Sequence, residues 1–167
     1  TFANPHNEIH HWLADERKAN SQFPDVQIIE EDLSDAQLKA LYEQCHALVA
    51  PSRAEGFGLP MAEAILSGLS VITTNWSGQT DFCTEENSWL IDYDFQRAQS
   101  HFGIFSSVWA EPKVDHLAQL MRGVQQAPDS VRQQKTKLGQ QLLAEKFRCV
   151  DTAARLVQAA RVLSEGR

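Results

Sequence analysis

Short apolar runs alternate with longer amphipathic stretches through the first half of this chain. The runs that read as buried strands are residues 26–29, Ala47–Ala50, residues 71–73 and Trp89–Ile91. The stretches between them are too long for hairpin turns, and they carry apolar residues at helical spacing. Parallel strands need such crossovers, and helices then cover both faces of the sheet. The sequence therefore predicts an α/β, Rossmann-like, three-layer fold with a mostly parallel sheet.

Helix signals mark several boundaries along the chain. Ile9 and its apolar neighbours indicate a first helix that ends near Asn20, after a cap at Asn4-Pro5. Ser34, followed three residues later by Gln37, has the pattern of a capping box at the start of a second helix. The apolar side chains that this second helix should turn to the core are Leu38, Leu41 and Tyr42.

The second half of the chain divides into an aromatic region and a helical region. Residues 92–112 contain Tyr93, Phe95, Phe102, Phe105 and Trp109, and we expect a packed loop there. Its aromatic side chains form a satellite core in our interpretation, with contact to a missing domain or to an acceptor as the alternative. From Lys113 onward, apolar residues recur at helical spacing, which predicts C-terminal helices.

Composition limits the function classes. The chain has 167 residues, 43% hydrophobic and 22% charged, which fits a single soluble domain. Its net charge of −7, with no basic patch, argues against a nucleic-acid partner. The apolar runs are far shorter than the roughly 20 residues that span a bilayer. Cys45, Cys83 and Cys149 form no C-x-x-C pair, which favours a reducing, cytoplasmic compartment.

The segment from Pro51 to Gly68 carries the residues with the clearest chemistry. A strand ends at Ala50, a loop with Gly56 and Gly58 follows, and Pro60 opens a helix that Gly68 ends. Ligands of open α/β sheets bind beyond the carboxyl ends of the strands, where glycines let them approach the backbone. The N–H groups of residues 59–62 are expected to be unpaired, and with the helix dipole they suit a diphosphate.

Two carboxylates flank this junction. Glu63, one turn inside the helix, can accept hydrogen bonds from vicinal ribose hydroxyls, and Glu55 on the loop would face the other end of a diphosphate. Glu55 and Glu63, separated by seven residues that include Gly-Phe-Gly-Leu-Pro, resemble the E-x7-E motif of retaining glycosyltransferases. The wider pattern resembles glycosyltransferase family 4, the "group 1" family, through Leu41-Tyr42, Pro51-Ser52, Glu63-Ala64 and Gly68, in that order.

The resemblance implies the C-terminal, nucleotide-sugar-binding half of a GT-B protein. The resemblance implies that Glu63 binds the ribose and that Glu55 is the catalytic residue that contacts the donor sugar. The backbone of Gly56, Phe57 and Gly58 also lies against the sugar. Leu59 and Pro60, at the start of the helix, hold the diphosphate. The donor is a nucleotide diphosphate sugar, the nucleotide leaves by the front face, and neither a metal nor another cofactor is expected.

The resemblance also sets expectations for the parent protein. The chain starts after the family's second strand, so the basic phosphate clamp and the N-terminal, acceptor-binding domain are missing. We therefore expect the fragment alone to be inactive. The acceptor is a glycan or a lipid-linked molecule, as in bacterial polysaccharide biosynthesis in the cytoplasm, and membrane association falls to other parts of the parent protein. The alternative is a non-catalytic GT-B-like module that binds a nucleotide or glycan or serves as an interface.

One segment departs from the family pattern, and one histidine pair is unrelated to it. After residues 71–73 the family often has Gly-Gly and then Glu, whereas this chain has Ser77-Gly78 with Asp81 in the place of the Glu. His6 and His10 stand i and i+4 on the first predicted helix, but a polar helix surface explains them better than a metal site.

Overall fold

A computed structural model describes residues 8–98 and 106–165, and the chain divides into two compact units, residues 1–33 and 34–167. The prediction of a single domain is not tested by this division and stays a prediction. In the first unit, helix α1 (Ile9–Ala19) has Asn20 as its C-cap, so it ends where its pattern indicated. The Arg17 side chain donates a hydrogen bond to the Val26 carbonyl at 3.0 Å. The predicted cap at Asn4-Pro5 lies outside the described residues.

The predicted strand at residues 26–29 is not a strand. These residues have no regular secondary structure and belong to neither sheet of the described chain. A β-strand exists only through the hydrogen bonds that it exchanges with a neighbour, and an apolar run by itself supplies none.

The second unit holds most of the regular structure. Its helices and strands, in chain order, are α2 (Asp35–Gln44), β1 (Ala47–Ala50), α3 (Leu59–Leu66), β2 (Ser70–Thr74), β3 (Trp89–Ile91), β4 (Tyr93–Arg97), β5 (Val108–Pro112), α4 (Val114–Gln126), α5 (Asp129–Lys146) and α6 (Cys149–Glu165), with one 3₁₀ helix at Gly78–Asp81. The capping box is confirmed, because the Ser34 side chain accepts from the Gln37 N–H while the Gln37 side chain accepts from the Ser34 N–H. The C-terminal helices are confirmed as α4, α5 and α6.

A three-stranded parallel sheet lies at the centre of this unit, in the order β1-β2-β3. All of β2 is buried, and its successive side chains enter two different hydrophobic clusters. Val71 packs with Met61 of α3 and Leu143 of α5, whereas Ile72 packs with Val124 of α4. Because neighbouring strand residues point to opposite faces, helices cover both faces of the sheet, as predicted.

The aromatic region was predicted as a packed loop, and this prediction is wrong for its described residues. Strands β4 and β5 pair in antiparallel fashion, with Tyr93 opposite Pro112 and Phe95 opposite Ala110. The rings of Tyr93 and Phe95 lie 5.6 Å and 4.8 Å from that of Trp76. Pairing with a partner so far along the chain cannot be read from either strand alone. Residues 99–105, which include Phe102 and Phe105, lie outside the described residues.

Candidate functional site

Three connections begin at the carboxyl ends of the strands of the parallel sheet. The loop at residues 51–58 follows β1 and leads into α3, residues 75–77 follow β2, and Asp92 follows β3 and leads into β4. The carboxyl ends of parallel strands lie at the same edge, and this is where open α/β sheets bind ligands. The structure therefore brings the glycine loop together with a second segment, at residues 75–79, that the sequence analysis did not assign to the site.

Glycines let these two segments touch through their backbones. A Cβ atom on Gly78 would lie 2.2 Å from the carbonyl oxygen of Gly56, a distance that real atoms do not tolerate. Gly58 has a φ of +92° and caps the N-terminus of α3, and a Cβ there would lie 2.9 Å from the Cβ of Gln79. Gly58 thus has a left-handed backbone, the conformation that favours glycine. Gly56 does not, since the positive-φ glycines of the described chain are Gly58 and Gly68.

Glu55 is half-buried and held at three atoms. Its carboxylate accepts a hydrogen bond from the Ser52 hydroxyl at 2.7 Å. Its backbone N–H donates to the Ser77 hydroxyl oxygen at 3.1 Å, and its carbonyl accepts from that hydroxyl at 2.6 Å. The Gly78 N–H donates to the same carbonyl at 3.1 Å. The sequence signal for this contact was Ser77-Gly78, where the resembling family often has two glycines.

The start of α3 differs in detail from the expectation. The Gly58 carbonyl accepts hydrogen bonds from the N–H groups of Met61 and Ala62, at 3.1 Å and 3.2 Å, so these two donors are already engaged. Pro60 has no N–H. In the part of the chain that the structure describes, the N–H groups of residues 56–59 have no acceptor. The Leu59 N–H is therefore unpaired as predicted, and the other unpaired donors, at residues 56–58, precede the helix, because the first helical bonds reach back to the cap residue.

The side chains of Phe57, Leu59 and Pro60 differ in burial. The Phe57 ring packs 4.9 Å from the Phe82 ring and 5.3 Å from the Phe147 ring, so only its backbone is left for a ligand. Leu59 is 62% exposed, and Pro60 is exposed as well.

Glu63 lies on the exposed side of α3 and faces α2. The Tyr42 hydroxyl donates to its carboxylate at 3.4 Å. Both residues line a cavity of about 240 Å³ whose walls are Asp35, Leu38, Lys39, Tyr42, Glu63, Leu66 and Ser67. Burial raises the pKa of Tyr42, and the negative charge and hydrogen bond of Glu63 raise it further. Tyr42 packs against the hydrophobic core, as its position on α2 predicted, but the helical pattern gave no sign of its carboxylate partner.

Arg53 was not assigned a role from the sequence. Its side chain donates to both carboxylate oxygens of Glu111 on β5, with an Nη2–Oε1 distance of 2.8 Å, and its guanidinium lies 4.5 Å from the centre of the Trp109 ring. The hydrogen bond from Arg53 lowers the pKa of Glu111. The cation nearest to Glu55 in sequence is therefore paired, and it ties the glycine loop to the β4–β5 hairpin.

Glu55 and Glu63 have different partners, and no hydrogen bond among residues 8–98 and 106–165 joins the two carboxylates. Within the same residues, no three His, Cys, Asp or Glu side chains are grouped so that they could hold a metal ion. His6, half of the histidine pair considered above, falls outside them. Asp81 is exposed at the end of the 3₁₀ helix. None of the helices in the described chain has the length and apolar character needed to cross a membrane.

Comparison with known proteins places this loop and helix in a family. The model of the family "Glycosyl transferases group 1" matches residues 15–100, half of the chain, and this stretch contains the whole candidate site. The chain belongs to the group 1 glycosyltransferases. A comparison with curated protein sequences found no match.

Two solved structures resemble this group 1 chain. The C-terminal domain of a glycosyl transferase group 1 family protein (LpcC) from Francisella tularensis aligns with a TM-score of 0.59 and 20% identity, over 87% of this chain and 66% of that one. Sucrose-phosphate synthase from Thermosynechococcus elongatus aligns with a TM-score of 0.63 and 22% identity, over 96% of this chain and 34% of that one. At these identities the likeness shows the fold, an α/β domain with a parallel sheet and C-terminal helices. The chain spans about two thirds and one third of the two proteins.

Proposed function

We propose that this chain binds the nucleotide-sugar donor of a retaining glycosyltransferase. The observation that carries the proposal is the junction between the glycine loop and α3. Backbone N–H groups without an acceptor lie there between Glu55 on one side and Glu63 on the other. A nucleotide diphosphate sugar has matching parts in the same order, a sugar, a diphosphate and a ribose.

The diphosphate is placed at the start of α3. Unpaired N–H groups and the positive end of the helix dipole both favour an anion at this position. In sugar transfer the diphosphate gains negative charge as it leaves, so donors that are already fixed in place stabilise the transition state most. Gly56 is exposed and has no side chain to obstruct the approach, and the Phe57 ring is turned into the core.

The two carboxylates bind the ends of the donor in this proposal. Glu63, exposed in the cavity beside Tyr42, accepts hydrogen bonds from the ribose hydroxyls. Glu55 contacts the donor sugar as the catalytic residue, with its carboxylate oriented by the Ser52 hydroxyl. The mechanism retains the anomeric configuration, the nucleotide departs from the front face, and no metal takes part.

The acceptor is proposed to bind outside this chain. A glycan or lipid-linked acceptor would be held by an N-terminal GT-B domain of the parent protein, acting in the cytoplasm in bacterial polysaccharide biosynthesis. Because the acceptor is proposed to bind on that other domain, the chain alone should show little or no turnover. Turnover of the isolated chain near the rate of a complete enzyme would contradict this part of the proposal.

The donor site is tested by calorimetric titration with UDP-, GDP- and ADP-sugars, using wild type, Glu63→Ala and Glu145→Ala. Glu145 is an exposed carboxylate on α5, so its variant matches the change in charge. One nucleotide class should bind, and Glu63→Ala should weaken it by about tenfold or more, since ribose loses a charged acceptor. Glu145→Ala should bind like wild type. Absence of binding in wild type, or equal weakening in both variants, would contradict the proposal.

A second candidate is a non-catalytic GT-B-like module that binds a nucleotide or glycan or forms an interface. The ion pair between Arg53 and Glu111 favours it, because the cation nearest to Glu55 in sequence is already paired and is not free to bind a phosphate. Such a module could bind a nucleoside diphosphate, but it would not transfer a sugar in any longer protein that contains it. A transfer assay on the complete parent protein therefore separates the two candidates.

A further inference from the structure

We propose that Ser77 is a positioning residue that fixes the main chain of Glu55 and, through it, the sugar end of the donor site. The inference rests on the proposed donor-binding function. It assigns to Ser77 a role that the glycine often present in the family could not fill, because glycine has no hydroxyl group.

Ser77 has a backbone conformation that disfavours side chains. Its φ is 81° and its ψ is −163°, and it is the sole non-glycine residue with positive φ in the described chain. This region is essentially restricted to glycine, and other residues persist there only where the surroundings hold them. A serine in place of glycine at this position therefore needs a compensating interaction from its side chain.

The Ser77 hydroxyl makes that interaction with Glu55. It accepts from the Glu55 N–H at 3.1 Å and donates to the Glu55 carbonyl at 2.6 Å, so one side chain satisfies both polar backbone groups of one residue. Ser77 is itself anchored, because its carbonyl accepts from the Thr80 N–H at 3.0 Å and from the Thr80 hydroxyl at 2.7 Å. The next residue but one, Gln79, is fully buried and donates to the Thr74 carbonyl at 3.0 Å.

The contact acts on one end of the candidate site. Ser77 bonds Glu55, whereas Glu63 contacts Tyr42 on the far side of Gly58, and no bond in the described chain links Ser77 to that pair. Removing the hydroxyl should loosen the loop around Glu55 and leave the helix start and the cavity beside Glu63 in place. Loss of the hydroxyl should therefore weaken binding of the donor sugar and leave binding of the nucleotide unchanged.

The test compares binding of a nucleoside diphosphate with binding of the matching nucleotide sugar to the 167-residue chain. The proteins are wild type, Ser77→Ala, Ser77→Gly and the control Ser130→Ala, an exposed serine on α5. In both Ser77 variants the ratio of the nucleotide-sugar Kd to the nucleoside diphosphate Kd should rise about tenfold, while the diphosphate Kd changes less than about twofold. Ser130→Ala should leave both constants unchanged.

The Ser77→Gly variant distinguishes a positioning role of the Ser77 hydroxyl from a purely structural one. Ser77→Gly suits the positive φ, so thermal unfolding should show that this variant is at least as stable as Ser77→Ala. If the ratio of Kd values still rises in Ser77→Gly, the hydroxyl positions Glu55. A ratio that returns to the wild-type value in Ser77→Gly, or that is unchanged in both variants, would overturn the inference. Failure of wild type to bind any nucleotide would instead overturn the proposed function, and this inference with it.

Discussion

At the scale of single residues, the candidate site depends on which atoms are absent as much as on which are present. Gly78 has no Cβ, and the carbonyl of Gly56 occupies the space where one would be. Gly56 itself has open space around its own Cβ position. Two glycines in contact with each other thus have opposite tolerance for a side chain, and both can be tested by the same substitution.

Gly78→Ala should destabilise the protein by about 2 kcal/mol or more, because the new methyl group overlaps a backbone oxygen that cannot rotate away. Gly56→Ala should change the free energy of unfolding by less than about 0.5 kcal/mol, since no atom lies within 4 Å of the new group. Denaturant unfolding of the two variants measures both values. Similar values for the two would show that the backbones of these segments are not in close contact.

Gly56→Ala also bears on the donor site. If a donor sugar approaches the backbone at this loop, the exposed methyl group should weaken nucleotide-sugar binding about tenfold or more, although the fold is unchanged. Calorimetry on the folded variant gives the answer, with Gly123→Ala on α4 as a glycine control distant in sequence from the loop. Unchanged binding in Gly56→Ala would mean that the sugar lies elsewhere.

Cys83 should make stability depend on alkaline pH. Burial raises the pKa of its thiol from 9.0 to about 11. The unfolded chain therefore releases this proton at lower pH than the folded chain. The contribution of the protonated thiol to the free energy of unfolding is present below pH 9, and it is lost as the pH rises from 9 to about 11. The loss is about 2–3 kcal/mol at most. The free energy of unfolding of wild type should fall more steeply over this window than that of Cys83→Ala, and parallel curves would contradict the assignment.

At the scale of elements, α3 connects the candidate site to the core. Its first turn borders the glycine loop, and its buried face packs against the sheet and α5. The Gln140 side chain donates to the carbonyls of Ile65 and Leu66 at 3.2 Å and 3.3 Å. The Ile65 carbonyl also accepts from the Gly68 N–H at 3.0 Å, whereas the end of α3 offers the Leu66 carbonyl no other partner in the described chain. Gly139 allows this close packing, since a Cβ there would lie 2.8 Å from the Ile65 side chain.

Two helical glycines should therefore respond in opposite directions to alanine. Gly139→Ala should destabilise the protein by about 1–3 kcal/mol, because α5 must move away from α3. Gly123→Ala on α4 meets no atom within 4 Å and should stabilise it by about 0.5–1 kcal/mol through helix propensity. Thermal and denaturant unfolding compare the two. Stabilisation by Gly139→Ala would mean that the helices separate at little cost.

At the scale of the whole molecule, the second unit contains both hydrophobic clusters that the described residues form. Every residue of the two clusters, from Tyr42 to Phe147, belongs to residues 34–167. Among the described residues of the first unit, helix α1 has no buried residues, and its Trp12 side chain is 63% exposed. The candidate site residues from Ser52 to Gln79 all lie in the second unit as well.

A fragment of residues 34–167 should therefore fold by itself. Its circular dichroism should retain the helical signal of α2 to α6, and it should unfold in one cooperative transition, because both clusters are intact. Equilibrium denaturation followed by two spectroscopic probes gives the measurement, with the full 167-residue chain as the reference. Aggregation or a broad transition would show that residues 1–33 are required, as the prediction of a single domain implies.

The sequence by itself determined the elements whose signals are local. β1, β2 and β3 were recognised from apolar runs, α2 from its capping box, α3 from the glycine and proline at its start, and the last three helices from their spacing. The glycine loop between Glu55 and Glu63 was recognised for the same reason, since its residue types are contiguous in the chain. Side-chain period and turn chemistry depend on near neighbours, which a sequence displays directly.

Tertiary structure decided the features that need a distant partner. The hairpin of β4 and β5, the loss of the strand at residues 26–29, and the contact of Gly78 with Gly56 all depend on which backbone lies alongside. The hydrogen bonds of Ser77 to Glu55 and of Tyr42 to Glu63 join residues 22 and 21 positions apart. Hydrogen bonds and close packing are short-ranged in space, so their partners are defined only once the sheet and helices have brought distant residues together.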